Sequence, residues 1–106
     1  MNIEVLHDFS KKLVIFKDGQ PLLNYIYKPE VPGSEAPRPF FHPLYSLAGN
    51  LVSGFRPYDH YWHHGLSMTC ANLSGQNFWG GPTYVRDEGY IDLDNRGRQI
   101  CKKIND

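Results

Sequence analysis

Histidine is concentrated in one short stretch of this chain. Arg56-Pro57-Tyr58-Asp59-His60-Tyr61-Trp62-His63-His64-Gly65-Leu66 places three histidines within five residues, beside one aspartate and one tryptophan. Imidazole exchanges protons near neutral pH and is the commonest ligand for zinc, copper and iron. In acid–base chemistry, one histidine held by a second group such as Asp59 moves a proton on a small molecule. His60, His63, His64 and Asp59 are the candidates for that catalytic work. Arg56, Asp59, Asn72 and Gln76 can fix hydroxyls or a carboxylate, and Tyr61, Trp62, Phe78 or Trp79 can give a platform for the apolar face of a sugar. His42, Arg56, Trp62, Asn77 and Trp79 are the substrate-binding candidates.

The alternative chemistry is a divalent metal held by His42, His60 and His63, with an open position for substrate. On an extended chain successive side chains point to opposite faces, so His63 and His64 cannot both reach one ion. One of them would have to pair with His60 or His42. The spacing is not the helical H-E-x-x-H arrangement. A competing account needs no chemistry: Trp62, Phe78 and Trp79 fill the core, since large aromatics dominate small cores. Met68 and Cys70, alternating on one face, read as core, and Gly80-Gly81-Pro82 reads as a sharp turn.

Strands must position these residues. Ile3, Val5 and His7 alternate with polar neighbours and predict a strand with one face buried. The pattern predicts a hairpin of residues 12–17 and 21–28 joined through Asp18-Gly19, a strong two-residue turn signal. Residues 28–39 hold four prolines and one glycine, which neither a helix nor a central strand tolerates. Phe40 to Ser46 is a short aromatic segment. Leu51 to Phe55 reads as a strand or as its hairpin partner, and His63 to Leu73 as a strand. Tyr84-Val85 and Gly89 to Leu93 read as strands, and Gln99 to Ile104 as the start of another. The expected fold class is all-β, an antiparallel β-sandwich. Residues 1–106 are expected to form a single β domain or part of a larger one. An open sheet edge would invite a homo-oligomer.

The bulk properties fit this picture. The chain has 106 residues, 41% hydrophobic and 14% aromatic, and eleven Lys and Arg balance eleven Asp and Glu. A net charge of zero gives no field to draw nucleic acid or an acidic membrane surface. The longest uninterrupted apolar run, Leu13 to Phe16, is far too short to span a bilayer. Cys70 and Cys101 sit in no C-x-x-C motif, and the start of the chain is not a signal peptide. A reduced, cytoplasmic location is the simpler expectation.

Three segments together resemble a known bacterial family. These are His42-Pro43-Leu44, the stretch from Arg56 to Leu66 with its D-H-x-x-H-x-G-L element, and Gly75-Gln76-Asn77-Phe78-Trp79-Gly80-Gly81-Pro82-Thr83-Tyr84-Val85. They are similar to the PmoA-like family, which also carries the name "methane oxygenase PmoA". The likeness covers about residues 20–100, with its specific part at 41–90. Many members read Asp before Phe-Trp, where this chain has Asn77. The resemblance implies a β-sandwich, a place in the N-terminal part of a longer domain, and an association with carbohydrate utilisation. The expected function is binding of, or acid–base chemistry on, a sugar or sugar-derived molecule. The alternatives are a metal-dependent enzyme with a multi-His site and a non-catalytic interaction module or truncated remnant.

Overall fold

The structure is a computed structural model that describes residues 2–105. It is all-β and sandwich-like, with two antiparallel sheets of four and two strands. The larger sheet is a meander of β1 (Ile3–Asp8), β2 (Lys12–Lys17), β3 (Gln20–Ile26) and β4 (Phe40–Leu44), neighbours in chain order. β5 (Thr83–Val85) and β6 (Gly89–Ile91) form a separate hairpin. No helix among the described residues is long and apolar enough to cross a membrane.

The β2–β3 hairpin follows directly from local chemistry. Asp18 and Gly19 sit at φ 50° and 80° and connect a Lys17–Gln20 pair. Two positive φ values in a two-residue loop match the right-handed twist of the strands, and Asp-Gly reaches them cheaply. Next to this turn, Phe16 pairs with Pro21, and the register shifts between Ile15 and Phe16. Proline has no N–H to donate, so the irregularity falls where the ladder is already interrupted.

β1 forms where the alternation predicts, but neither of its faces is covered. Ile3 is 47%, Val5 60% and Leu6 58% exposed. β1 is an edge strand that pairs only with β2, and alternation reports what a strand can bury, not whether a second layer is present. Only His7 is partly covered, by the Tyr27 hydroxyl at 2.7 Å and the ring of Phe9.

The long strand expected over His63 to Leu73 does not form. Three isolated bridges stand in its place, Phe55 to His64, Phe41 to Leu66 and Leu73 to Gln76. Beyond Leu66 the backbone groups find other partners: Gln99 donates to the Met68 carbonyl and the Phe78 N–H to that of Cys70. Met68 is 77% exposed and is not core, while Cys70 is half-buried and, like Cys101, a free thiol. Leu51 to Phe55 likewise makes single bridges, and residues 99–104 are not a strand.

The interior is unusual in composition. Among the described residues the buried apolar positions are Val14, Tyr27, Ala36 and Phe40, and the buried polar ones are Glu35, Arg38, His64 and Asn77. Charged side chains are almost never fully buried without a partner, so the polar set requires a full accounting.

Candidate functional site

The loop between Phe55 and His64 is closed at its base and folded back on itself. The Arg56 N–H donates to the His63 carbonyl, and the Gly65 N–H to that of Gly54. Within the loop, the His60 N–H donates to the Pro57 carbonyl and the His63 N–H to that of His60. These two consecutive turns set His60 beside His63, with ring centroids 4.9 Å apart. The ring of Trp62 lies 5.1 Å from His60 and 5.9 Å from His63, and Trp79 stands 6.2 Å from His63. Together with Gly80, Pro82 and Tyr90 these four side chains line a cleft of about 500 Å³. At its rim, Asp59 Oδ2 is 3.3 Å from His60 Nδ1.

Gly80 and Gly81 make the cleft's shape possible. Both take positive φ, and a Cβ on Gly81 would fall 2.6–2.8 Å from the Trp62 ring. A Cβ on Gly80 would fall 2.4 Å from Trp62 Cβ and 2.7 Å from the Glu35 carbonyl oxygen. The turn is therefore also a flat backbone surface on which Trp62 is seated. Asn77 holds this turn from inside. Its Oδ1 accepts the N–H groups of Trp79 and Gly80, while its Nδ2 donates to the Gly81 carbonyl and to Thr83 Oγ1. Asn77 is 3% exposed, so the amide expected to meet a substrate is spent on the loop that presents Trp79.

His64 parts company with His63, as alternation along an extended segment requires. It is buried, and its Nε2 lies 2.8 Å from Glu35 Oε1 and 3.0 Å from the Tyr61 carbonyl oxygen. Both neighbours are acceptors, so Nε2 carries the hydrogen. Nδ1 is left buried with no partner. Burial pushes the His64 pKa below its ordinary value, against the pull of Glu35. Arg56 also faces Glu35: its Nε and Nη2 each donate to one carboxylate oxygen at 2.9 Å, and its guanidinium lies over Tyr61. Burial by itself would raise the Glu35 pKa, but the hydrogen bonds from Arg56 and His64 prevail and hold it below the usual range. Arg56 and His64, both candidate site residues, are thus the two jaws of a clamp that shapes the 56–64 loop.

His42 stands elsewhere. Its Nδ1 is 2.7 Å from Ser53 Oγ, its ring stacks with Phe55 at 5.6 Å, and burial lowers its pKa. The expected metal set of His42, His60 and His63 is therefore divided between two places. Among the described residues no three His, Cys, Asp or Glu side chains converge as a metal site needs. His60 and His63 offer two neighbouring imidazoles. Of the candidate residues, the structure brings together His60, His63, Trp62, Trp79 and Asp59.

Sequence reasoning missed Glu35 and Arg38. Both lie in the proline-rich segment, where no periodicity marks which face is buried. The short 3-10 turn Gly33–Glu35 and the left-handed Ala36 (φ 51°) turn both side chains inward. Arg38 donates to the carbonyls of Glu35, Ala36 and Trp62 and to Ser67 Oγ. It ties the proline-rich segment to the histidine loop.

Comparison with curated proteins and with solved structures yields no match. A family model does match, over residues 12–106, and it spans β2 through β6 with every side chain of the cleft. The chain belongs to a family of unknown function, DUF6807.

Proposed function

We propose that the protein binds a carbohydrate or sugar-derived small molecule in the cleft between Trp62 and Trp79, with His60 as the proton carrier. One observation carries this reading: two tryptophans and two histidines share the walls of one cleft, with a carboxylate beside one of the histidines. Indole faces take the apolar side of a pyranose, and imidazoles exchange hydrogen bonds and protons with its hydroxyls. Asp59 Oδ2, 3.3 Å from His60 Nδ1, helps to hold that ring in place, and His63 stands beside it to bond a neighbouring hydroxyl. The resemblance to the PmoA-like family, with its carbohydrate association, supports the same reading.

The test is calorimetric titration of the protein with a panel of neutral and acidic monosaccharides, followed by turnover assays with those that bind. Trp62→Ala and Trp79→Ala should each weaken binding by roughly tenfold or more, the loss of one stacking contact. His60→Ala should leave affinity within a few-fold and remove turnover. The proposal fails if no sugar binds, or if Trp62→Ala, His60→Ala and His63→Ala keep the parent's affinity and turnover.

A further inference from the structure

A smaller cleft of about 260 Å³ adjoins the main one and shares His63 and Trp79 with it. Its other walls include Arg38, His64, Ser67 and Thr69. Its charge does not balance. Arg38 is 2% exposed, and its hydrogen-bond partners are neutral oxygens: three carbonyls and the Ser67 hydroxyl. Among the described residues no carboxylate lies within ion-pair distance of it. The Glu35 carboxylate, the buried anion of the neighbourhood, is taken by Arg56 and His64. Burial disfavours the charged form of His64, against the pull of Glu35. Arg56 and His64 hold the Glu35 carboxylate directly, and it offsets the Arg38 charge only from beyond ion-pair distance, so Arg38 has no counter-ion in contact with it.

The donors needed to meet an anion are present. Four of the five guanidinium N–H groups of Arg38 are accounted for by its four hydrogen bonds, and one remains. Ser67 accepts from Arg38 Nε through its oxygen, so its own hydrogen is free to donate. Thr69 adds a second hydroxyl to the wall. Buried charges in proteins are paired, and an unpaired one lining a cleft marks where a ligand charge fits.

We infer that this cleft is a subsite for a singly charged oxyanion, the carboxylate of a sugar acid whose ring lies on the Trp62–Trp79 platform. One uncompensated positive charge matches a monoanion better than a dianionic phosphate. The inference rests on the sugar reading for the ring and on Arg38, Ser67 and Thr69 for the carboxylate, so the two can fail separately.

The experiment is calorimetry on the parent chain with glucose, glucuronate, glucose 6-phosphate and acetate. Glucuronate should bind roughly tenfold or more tightly than glucose, the worth of one charge-assisted contact. Acetate should compete with it, and Ser67→Ala should narrow the glucuronate-to-glucose ratio. Equal affinities for glucose and glucuronate would overturn the subsite and leave the sugar reading standing. Saturable acetate binding that Ser67→Ala removes, with no sugar bound, would uphold the subsite and overturn the sugar reading. Tighter binding of glucose 6-phosphate than of glucuronate would overturn the assignment to a monoanion. No binding of glucuronate or acetate would overturn the inference outright. The comparison of ligands needs no variant, so it stands even if Ser67→Ala disturbs the fold by removing an acceptor from Arg38.

Discussion

At the scale of single residues, the decisive side chains are buried polar ones. Asn77 donates and accepts at once, two bonds through Nδ2 and two through Oδ1, which a carboxylate of the same shape cannot do. Asn77→Asp keeps the shape and the two accepted N–H bonds but loses the donors to Gly81 and Thr83, setting an anion against the Gly81 carbonyl. It should cost about 2 kcal/mol, measured as a lower urea midpoint with unchanged slope. An unchanged midpoint would show that the amide donors do not hold the turn. Glu35→Gln removes the anion between Arg56 and His64. Losing one partner of a buried pair costs about 3–5 kcal/mol, but the Arg56 side chain is 39% exposed and can be solvated. A loss of about 2 kcal/mol is therefore expected in the same titration, and a stability equal to the parent's would remove Glu35 from its role as the clamp.

At the scale of elements, the Gly80-Gly81 turn and the 56–64 loop act as one unit. Gly81→Ala would press a methyl group into the Trp62 ring from a left-handed backbone position. Overpacking of this kind costs about 1–3 kcal/mol. It should shift the tryptophan emission and weaken ligand binding together, since Trp62 also lines the cleft. A destabilised variant with unaltered emission would place the damage elsewhere than at the indole. The same unit shows where element-level sequence signals succeed. The Asp18-Gly19 turn was legible because a two-residue loop carries its own backbone demand, and β5 and β6 form at the predicted places. The alternation from His63 to Leu73 was misleading because a strand needs a ladder partner. Past Leu66 the chain has Gln99 and Phe78 as partners instead of a strand.

At the scale of the whole molecule, acid should weaken the fold in two stages. His64 and His42 have folded pKa values below their ordinary 6.5 because burial disfavours their charged forms. The unfolded chain therefore takes up protons near pH 6.5 that the folded chain refuses, and stability falls as pH drops below that value. Glu35 is held below its ordinary 4.5, so its contribution is present above that pH and is lost as pH falls through the lower, folded value. Thermal melts across this range should show the midpoint falling first below about pH 6.5 and more steeply below about pH 4.5. A midpoint that is flat between about pH 7 and about pH 5 would show that the buried histidines take up protons without cost. The extended shape, 54 × 29 × 18 Å, and the uncovered β1 leave much apolar surface in contact with water.

The sequence by itself determined the fold class, the tight β2–β3 turn, the proline-rich break and the region that holds the cleft. Each of these depends on neighbours within a few residues: backbone φ at Asp18-Gly19, the missing N–H of proline, and the density of His and Trp from 60 to 79. Alternation also separated His63 from His64. Only the tertiary structure decided which histidine goes where. His42 and His60 belong to different neighbourhoods because β4 and the 56–64 loop carry them apart. Glu35 and Arg38 became central because a loop without periodicity folds inward on the histidine segment, whereas Asn77 is bound by local partners two to six positions on, a turn that its residue type alone did not mark. Local preferences can be read along a chain, whereas the pairing of buried charges joins residues some twenty to thirty positions apart and is fixed by packing.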